Sequence, residues 1–352
     1  MLKPRELIAG LSPHQSPIVS RAGLSLDLNE SMAGCSPRVL ARLRSLSAAE
    51  VSLYPQREVG ERLVANFLGV APEQVLLTNG MDEALSLLFA AYLGPGDELL
   101  FADPTFVMYP VLGEALGAQV VRLPSGEDLA LPVADLLARI SPRTRVIAIA
   151  NPNNPTGLAA SRADLLKIAE SAPDAAVLVD EAYFEFCGET LIPDLERHPN
   201  LFVARTFSKA YGLAGLRLGV LTGAAEQIGY LRRFGLPFNV NAAALACVEE
   251  ALADQAFVRD HVAQVKEGRE RLAQLFNELG LRFWPSQTNF VLVRVGAFAQ
   301  AFVESMQQRG ILVRDCSPSP GCEGCVRITV GTPSQMDGVL QAIRKAIAEA
   351  RP

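Results

Sequence analysis

Residues 145–157 read RVIAIANPNNPTG, and residues 176–180 read AVLVD. Each begins as a short apolar run with little polar alternation, which predicts a strand buried on both faces. Each run stops at polar or Gly/Pro punctuation, where the chain has to turn. The same rhythm extends toward the N-terminus. EVGERLVANFLG (58–69) has helical periodicity, QVLLT (74–78) reads as strand, and MDEALSLLFAAYL (81–93) as helix. Gly94-Pro95-Gly96-Asp97 is then a turn and ELLFA (98–102) another strand. Strands alternating with helices predict an α/β fold with a mainly parallel sheet covered by helices on both faces. In such sheets ligands gather beyond the carboxyl ends of the strands, so residues just after a strand carry most weight.

Beyond about residue 235 the pattern changes. A helical stretch over 241–278 leads to RFW (282–284), NFVLVRV (289–295), a helix over 297–309, ILVRD (311–315), VRITVG (326–331) and a last helix over 334–349. That is a smaller α+β unit. The first thirty residues have no clear period and read as an arm. The expected division is residues 1–50 as arm and part of the small domain, 51–238 as the large domain, and 239–352 as the small C-terminal domain.

With 352 residues the chain is long for one compact core. It is 49% hydrophobic and 20% charged, the balance of a globular enzyme and not of a disordered chain. A formal charge of −6 argues against nucleic acid or an anionic membrane as partner, while leaving room for a local basic pocket. The start, MLKPRELIAGLSP, makes a poor signal peptide, and no run reaches the length of a membrane span; the expectation is a cytoplasmic protein. Six cysteines, at 35, 187, 247, 316, 322 and 325, are too sparse for a disulfide framework. Cys322 and Cys325, with Cys316 near, have zinc-like spacing, but the set lacks a fourth ligand; free thiols and no metal are expected.

The chain has only five lysines. Lys167, Lys266 and Lys345 lie on helical patterns and Lys3 near the terminus. Lys209 alone sits in a non-periodic loop, TFSKAYG (206–212), directly after the apolar run LFVA. A lysine that condenses with an aldehyde must shed its proton easily and be held still, and partial burial in such a loop serves both ends. Ser208 beside it and Arg217 eight residues on supply a hydroxyl and a fork-shaped cation suited to a phosphate. Asp180 closes a strand buried on both faces, so its carboxylate is expected to have a cationic partner. A protonated pyridine nitrogen would be one; a structural ion pair would be another. Tyr183, three residues on, could reach the phenolic oxygen of such a ring. Asn151–Gly157 places amides at a strand end, and Asn79-Gly80-Met81-Asp82 places the free N–H groups of a helix start there.

In combination these segments resemble the fold-type I aminotransferases, which have the aspartate-aminotransferase-like fold, and within them the histidinol-phosphate aminotransferase family. The resemblance covers nearly the whole chain. It is carried by LDLNE (26–30), SLYP (52–55), NGMDEAL (79–85), DPTFVMY (103–109), NPNNPTG (151–157), VLVDEAYFEF (177–186), TFSKAYGLAGLRLG (206–219), TNFVLV (288–293) and VRITVGT (326–332). It implies pyridoxal 5′-phosphate as cofactor, held by the large domain and carried covalently by Lys209 as a Schiff base. Asp180 would pair with the pyridine nitrogen, and Asn154 and Tyr183 with the phenolic oxygen. Gly80, Met81, Asp82, Ser208 and Arg217 would hold the phosphate, and Phe106 would stack on the ring. Tyr54 would reach the phosphate of the other subunit in a homodimer with shared active sites.

For substrate the resemblance points to Arg314 and Arg327, thirteen residues apart. Arg327 would anchor a carboxylate; both together would suit the phosphate of histidinol phosphate, with glutamate and 2-oxoglutarate as the other pair. Two departures lie at the substrate mouth. His14 stands where many relatives carry a tyrosine that touches the substrate phosphate, and Asn29-Glu30-Ser31-Met32 replaces the common Asn-Glu-Asn-Pro. The expected reaction is therefore transamination between histidinol phosphate and 2-oxoglutarate, a step of histidine biosynthesis. The rivals are an aromatic amino-acid aminotransferase, a threonine-phosphate decarboxylase and, in another class, a non-catalytic cofactor-binding protein.

Overall fold

The computed structural model describes residues 2, 5–11 and 23–350. His14 therefore lies outside the described residues. The strands are β1 (Leu24–Ser25), β2 (Val75–Asn79), β3 (Glu98–Asp103), β4 (Gln119–Pro124), β5 (Thr144–Ala150), β6 (Ala176–Asp180), β7 (Leu201–Thr206), β8 (Leu218–Gly223), β9 (Arg282–Phe283), β10 (Phe290–Arg294), β11 (Ile311–Leu312), β12 (Arg314–Asp315) and β13 (Cys325–Thr329).

Seven of them form one sheet in the order β2-β8-β7-β6-β5-β3-β4. All neighbours are parallel except β8, which runs antiparallel to both β2 and β7. β6 and β7 are buried at every position, as strands covered on both faces must be. One face packs on helices Met81–Tyr92, Met108–Leu116 and Ala225–Arg232 through Leu85, Phe89, Tyr109 and Ile228. The other packs on helices Val133–Arg139 and Arg162–Ser171 through Leu136, Leu165 and Ile168. The fold expectation holds.

A second, antiparallel sheet has the order β12-β13-β10-β9, and β1 pairs in parallel with β11 beside it. Helices Gln255–Glu278, Ala299–Gln308 and Pro333–Ala350 supply its apolar cover. The helical stretch expected over 241–278 is instead three helices, Ala242–Ala246, Val248–Ala253 and Gln255–Glu278. A side-chain cap opens the stretch and another sets its second break, while the break at Cys247 has none. Asn241 caps the first by accepting from Ala244 N at 2.8 Å, and Asp254 caps the third by accepting from Phe257 N at 3.3 Å. A helix restarts where a side-chain oxygen takes over an orphan N–H, which a purely apolar periodicity does not register. ILVRD likewise splits into β11 and β12 at Val313. All six cysteines are free, and no helix among the described residues is long and apolar enough to cross a membrane.

The single antiparallel strand decides what reaches the functional edge. The carboxyl ends of β2, β3, β5, β6 and β7 lie along one edge, and the reversal of β8 brings its amino end there too. Residues 80–82, 104–109, 151–157, 181–183, 207–212 and Arg217 therefore converge. The approach of β8 to the start of helix Met81–Tyr92 leaves no room for a side chain at Gly219: a Cβ there would lie 2.6 Å from Gly80 C and 2.7 Å from Met81 N. Both obstacles are backbone. Gly219→Ala should thus cost about 1–3 kcal/mol of stability, the usual range for overpacking, read as a lower urea midpoint. An unchanged midpoint would mean that the contact is slack.

Candidate active site

Lys209 follows β7 in a loop folded back on itself, Leu213 N donating to Phe207 O at 2.9 Å and Gly212 N to Lys209 O at 3.1 Å. Its Nζ donates to Leu28 O at 3.2 Å and lies 6.0 Å from the centre of the Tyr183 ring. Burial, reinforced by the positive charges of Arg327 and Arg217 and offset in part by Glu30 and Asp82, pushes the ammonium down to about 8. A lysine so placed has a substantial neutral fraction near physiological pH.

Asp180 ends β6 with its carboxylate enclosed. Within the chain, two neutral donors hold it. Tyr109 Oη donates to Oδ2 at 2.8 Å and Ala182 N to Oδ1 at 3.0 Å. These donors do not fully offset burial, and the carboxyl is pushed up to about 6. Tyr109 is fully buried and was missed as a site residue, although it closes the segment 103–109. A phenol at the start of an otherwise apolar helix was the available signal, since a buried hydroxyl needs a partner. Phe106 meets Tyr109 edge-on, ring centres 5.8 Å apart.

Tyr183 is buried, and its hydroxyl accepts from Asn29 Nδ2 at 2.9 Å. Asn29 is a second residue missed as a participant. It takes a left-handed backbone, φ 56°, and ties the two sheets together. Its N–H donates to Thr329 Oγ1 at 3.1 Å, and its carbonyl accepts from Asn289 Nδ2 at 3.0 Å. The next bond along is from Thr329 N to Leu26 O, at 2.9 Å. Segment 26–30 is thereby sewn between β13 and the edge of the large sheet.

Arg327 lies on β13, nine-tenths buried. Its Nη1 donates to Asn154 Oδ1 and its Nη2 to Asp27 O at 2.6 Å; its buried Nε has no partner among the described residues. Arg314 on β12 is exposed and stands directly opposite Arg327 in the antiparallel register, so both side chains leave the same face. Arg217 has a left-handed backbone, φ 53°, and its Nη2 pairs with Asp82 Oδ2 at 3.1 Å. A Cβ on Gly80 would fall 2.4 Å from that nitrogen, so glycine is what lets the guanidinium lie over the start of helix Met81–Tyr92. No side chain caps that helix start.

The structure thus brings together Gly80, Met81, Asp82, Phe106, Asn154, Asp180, Tyr183, Ser208, Lys209, Arg217 and Arg327 along one edge. Tyr54 is apart from them. It is 78% exposed and stacks on Phe238, ring centres 4.3 Å apart.

An easily deprotonated lysine on the same sheet edge as an enclosed carboxyl, with Arg217 and Arg327 on that edge, is the kind of site that an aminotransferase uses. Residues 23–343 match the model of the family described as aminotransferase class I and II, and the chain belongs to that family. Its sequence relatives place it further, in the histidinol-phosphate aminotransferase family. The histidinol-phosphate aminotransferase of Dehalococcoides mccartyi strain CBDB1 is 34% identical over 345 residues, 96% of this chain and 95% of that protein. Histidinol-phosphate aminotransferase 2 of Pseudomonas fluorescens is 37% identical over 337 residues, 93% and 90% of the two chains. The crystal structure of histidinol-phosphate aminotransferase from Sinorhizobium meliloti in complex with pyridoxal-5′-phosphate superposes with a TM-score of 0.90. It is 26% identical, and the match covers 99% of this chain and 98% of that one.

The lowered pKa of Lys209 has a consequence for stability. Unfolding restores the lysine to its ordinary value of about 10.5, so between about 8 and 10.5 the unfolded chain binds more protons and stability rises with pH. Below about 8 the folded protein carries the full cost of the buried charge, on the order of 3 kcal/mol. In the cofactor-free protein Lys209→Met should therefore be stabilising at pH 7, with the gain fading as pH rises toward 10. A gain independent of pH over that window would show that the amine is not the source.

Proposed function

We propose that the protein is a pyridoxal-phosphate-dependent aminotransferase exchanging the amino group between histidinol phosphate and 2-oxoglutarate, in histidine biosynthesis. The observation that carries the cofactor is the buried Lys209 amine, lowered to about 8 and lying on the same edge as an enclosed acid. The site fits that group in its own chemistry. Arg217, the space left by Gly80 and the uncapped start of helix Met81–Tyr92 make an anion cradle at one end. The enclosed Asp180 suits a ring N–H at the other.

In this reading Lys209 holds the cofactor covalently and Asp180 pairs with the ring nitrogen. Asn154 and Tyr183 face the phenolic oxygen, Phe106 covers the ring, and Met81, Asp82, Ser208 and Arg217 hold the phosphate. Bound there, pyridoxal phosphate supplies an electron sink for the substrate carbon that bears the amino group. The chain supplies the rest. Tyr109 and the Ala182 N–H fix the carboxyl of Asp180, so it need not reorient as charge develops. Nζ of Lys209, set free when the donor's amine takes its place, would take up the proton from the donor's Cα. Arg327, aligned by Asn154 and Asp27 O, grips the glutamate carboxylate; Arg314 joins it for the substrate phosphate. His14 would contribute at the substrate mouth.

We further divide the chain into an arm and part of the small domain (1–50), a large cofactor-binding domain (51–238) and a small domain (239–352), and place the enzyme in the cytoplasm as a homodimer. Support for the dimer is the apolar strip of Leu53, Tyr54, Leu236 and Phe238, each more than half exposed in the single chain.

Two experiments test the reading. If the arginines act together on phosphate, Arg314→Ala should lower kcat/KM for histidinol phosphate at least about tenfold while affecting glutamate less, and Arg327→Ala should harm both. Equal loss for both donors in Arg314→Ala would favour an aromatic or general aminotransferase. Subunit sharing is tested by mixing. A Lys209→Ala homodimer has no working site, and Tyr54→Ala weakens two. In a mixed dimer both lesions fall in one site, leaving the other intact. Doubly tagged mixed dimers should exceed the mean of the parents at limiting cofactor; no gain would assign Tyr54 to its own chain.

A further inference from the structure

His261 lies on helix Gln255–Glu278 and is 5% exposed. Its ring meets Phe186 edge-on with centres 5.9 Å apart, and Phe257 lies on another side at 6.4 Å. Its two nitrogens reach two different segments. Nδ1 lies 2.9 Å from Ala210 O, and a carbonyl only accepts, so Nδ1 carries the proton. Nε2 lies 3.4 Å from Ser31 Oγ, a polar contact only, because the single hydroxyl hydrogen is donated to Gly34 O at 2.9 Å. Burial pushes the imidazole pKa down, which favours the neutral ring with Nε2 unprotonated.

Both segments adjoin the reactive amine. Ala210 is the next residue after Lys209. Ser31 belongs to the stretch whose Leu28 O accepts from Lys209 Nζ and whose Asn29 holds the Tyr183 hydroxyl. Between them the seam is closed to the width of a backbone: a Cβ on Gly212 would stand 1.9 Å from Gly34 O. Burial is the largest cause of the lowered lysine pKa, and this closed seam adjoins the lysine loop. We propose that His261 is a positioning residue for the transamination reaction: from outside the site it clasps the Lys209 loop to segment 28–34 and keeps water from the lysine nitrogen.

This rests on the cofactor reading above, and the test separates the two. The purified protein is titrated between pH 5 and 10, following the visible absorption of the lysine-bound cofactor, whose midpoint reports the proton on that nitrogen. His261→Phe keeps the aromatic packing and removes both polar contacts. Admitting water favours the charged form, so its midpoint should rise by about half a unit or more. His261→Asn places an amide N–H where Nδ1 stood and should hold the midpoint near that of the parent. Ser31→Ala should shift it upward by less than the Phe variant. A merely structural histidine would lower the melting temperature in both His261 variants without separating their midpoints. A Phe variant with the parental midpoint, or an Asn variant shifted as far as Phe, overturns the proposal. Should the Phe variant fail to fold, an unshifted Ser31→Ala overturns it equally. An absent visible band in the parent, or one that survives in Lys209→Ala, sinks the cofactor reading and this inference with it.

Discussion

A lysine amine becomes a base near neutral pH where water is denied to its charged form or other cations stand near, and much of this architecture serves the denial of water. Lys209 leaves a fully buried strand into a loop closed on itself, under a backbone segment contributed by the N-terminal stretch. That segment is in turn fastened to β13 of the smaller sheet. Two sheets distant in sequence are thus required to shield one nitrogen. The same enclosure raises Asp180, so one physical cause brings an acid and a base toward neutrality from opposite sides.

The enclosure is met with neutral donors as often as with charges. Within the chain Asp180 takes a phenol and an amide N–H, two neutral donors. A buried cation would have pulled the carboxyl down and left little for a ring nitrogen to add; neutral donors orient it and leave its charge available. Arg327 shows the complementary arrangement, aligned by an amide oxygen and a backbone carbonyl with one nitrogen left over.

The buried strands, their polar terminators and the loop lysine were legible in the residues, because double-sided burial leaves an unbroken apolar run and a turn must follow it. The motif resemblance covered the participants lying just after strands. Less legible were groups that act across long separations in sequence. Asn29 reaches Tyr183 from 154 positions away and Thr329 from 300, and nothing local to LDLNE announces either contact. Tyr109 belongs to the same kind, its partner lying 71 positions on. A capping residue was the other loss: Asp254 restarts a seemingly continuous helical pattern, an effect of a single side-chain oxygen that periodicity averages away.

The register of β12 against β13 sets Arg314 directly across from Arg327. Like charges facing one another across a strand pair repel, and water screens this only where it can enter. Arg314 is bathed in solvent, but Arg327 is not. The two guanidiniums by themselves are therefore the tenser arrangement, and an anion arriving between them relaxes the sheet that receives it. If substrate binds there as proposed above, the strand that receives it is the same β13 whose Thr329 bonds Leu26, in the segment over the lysine.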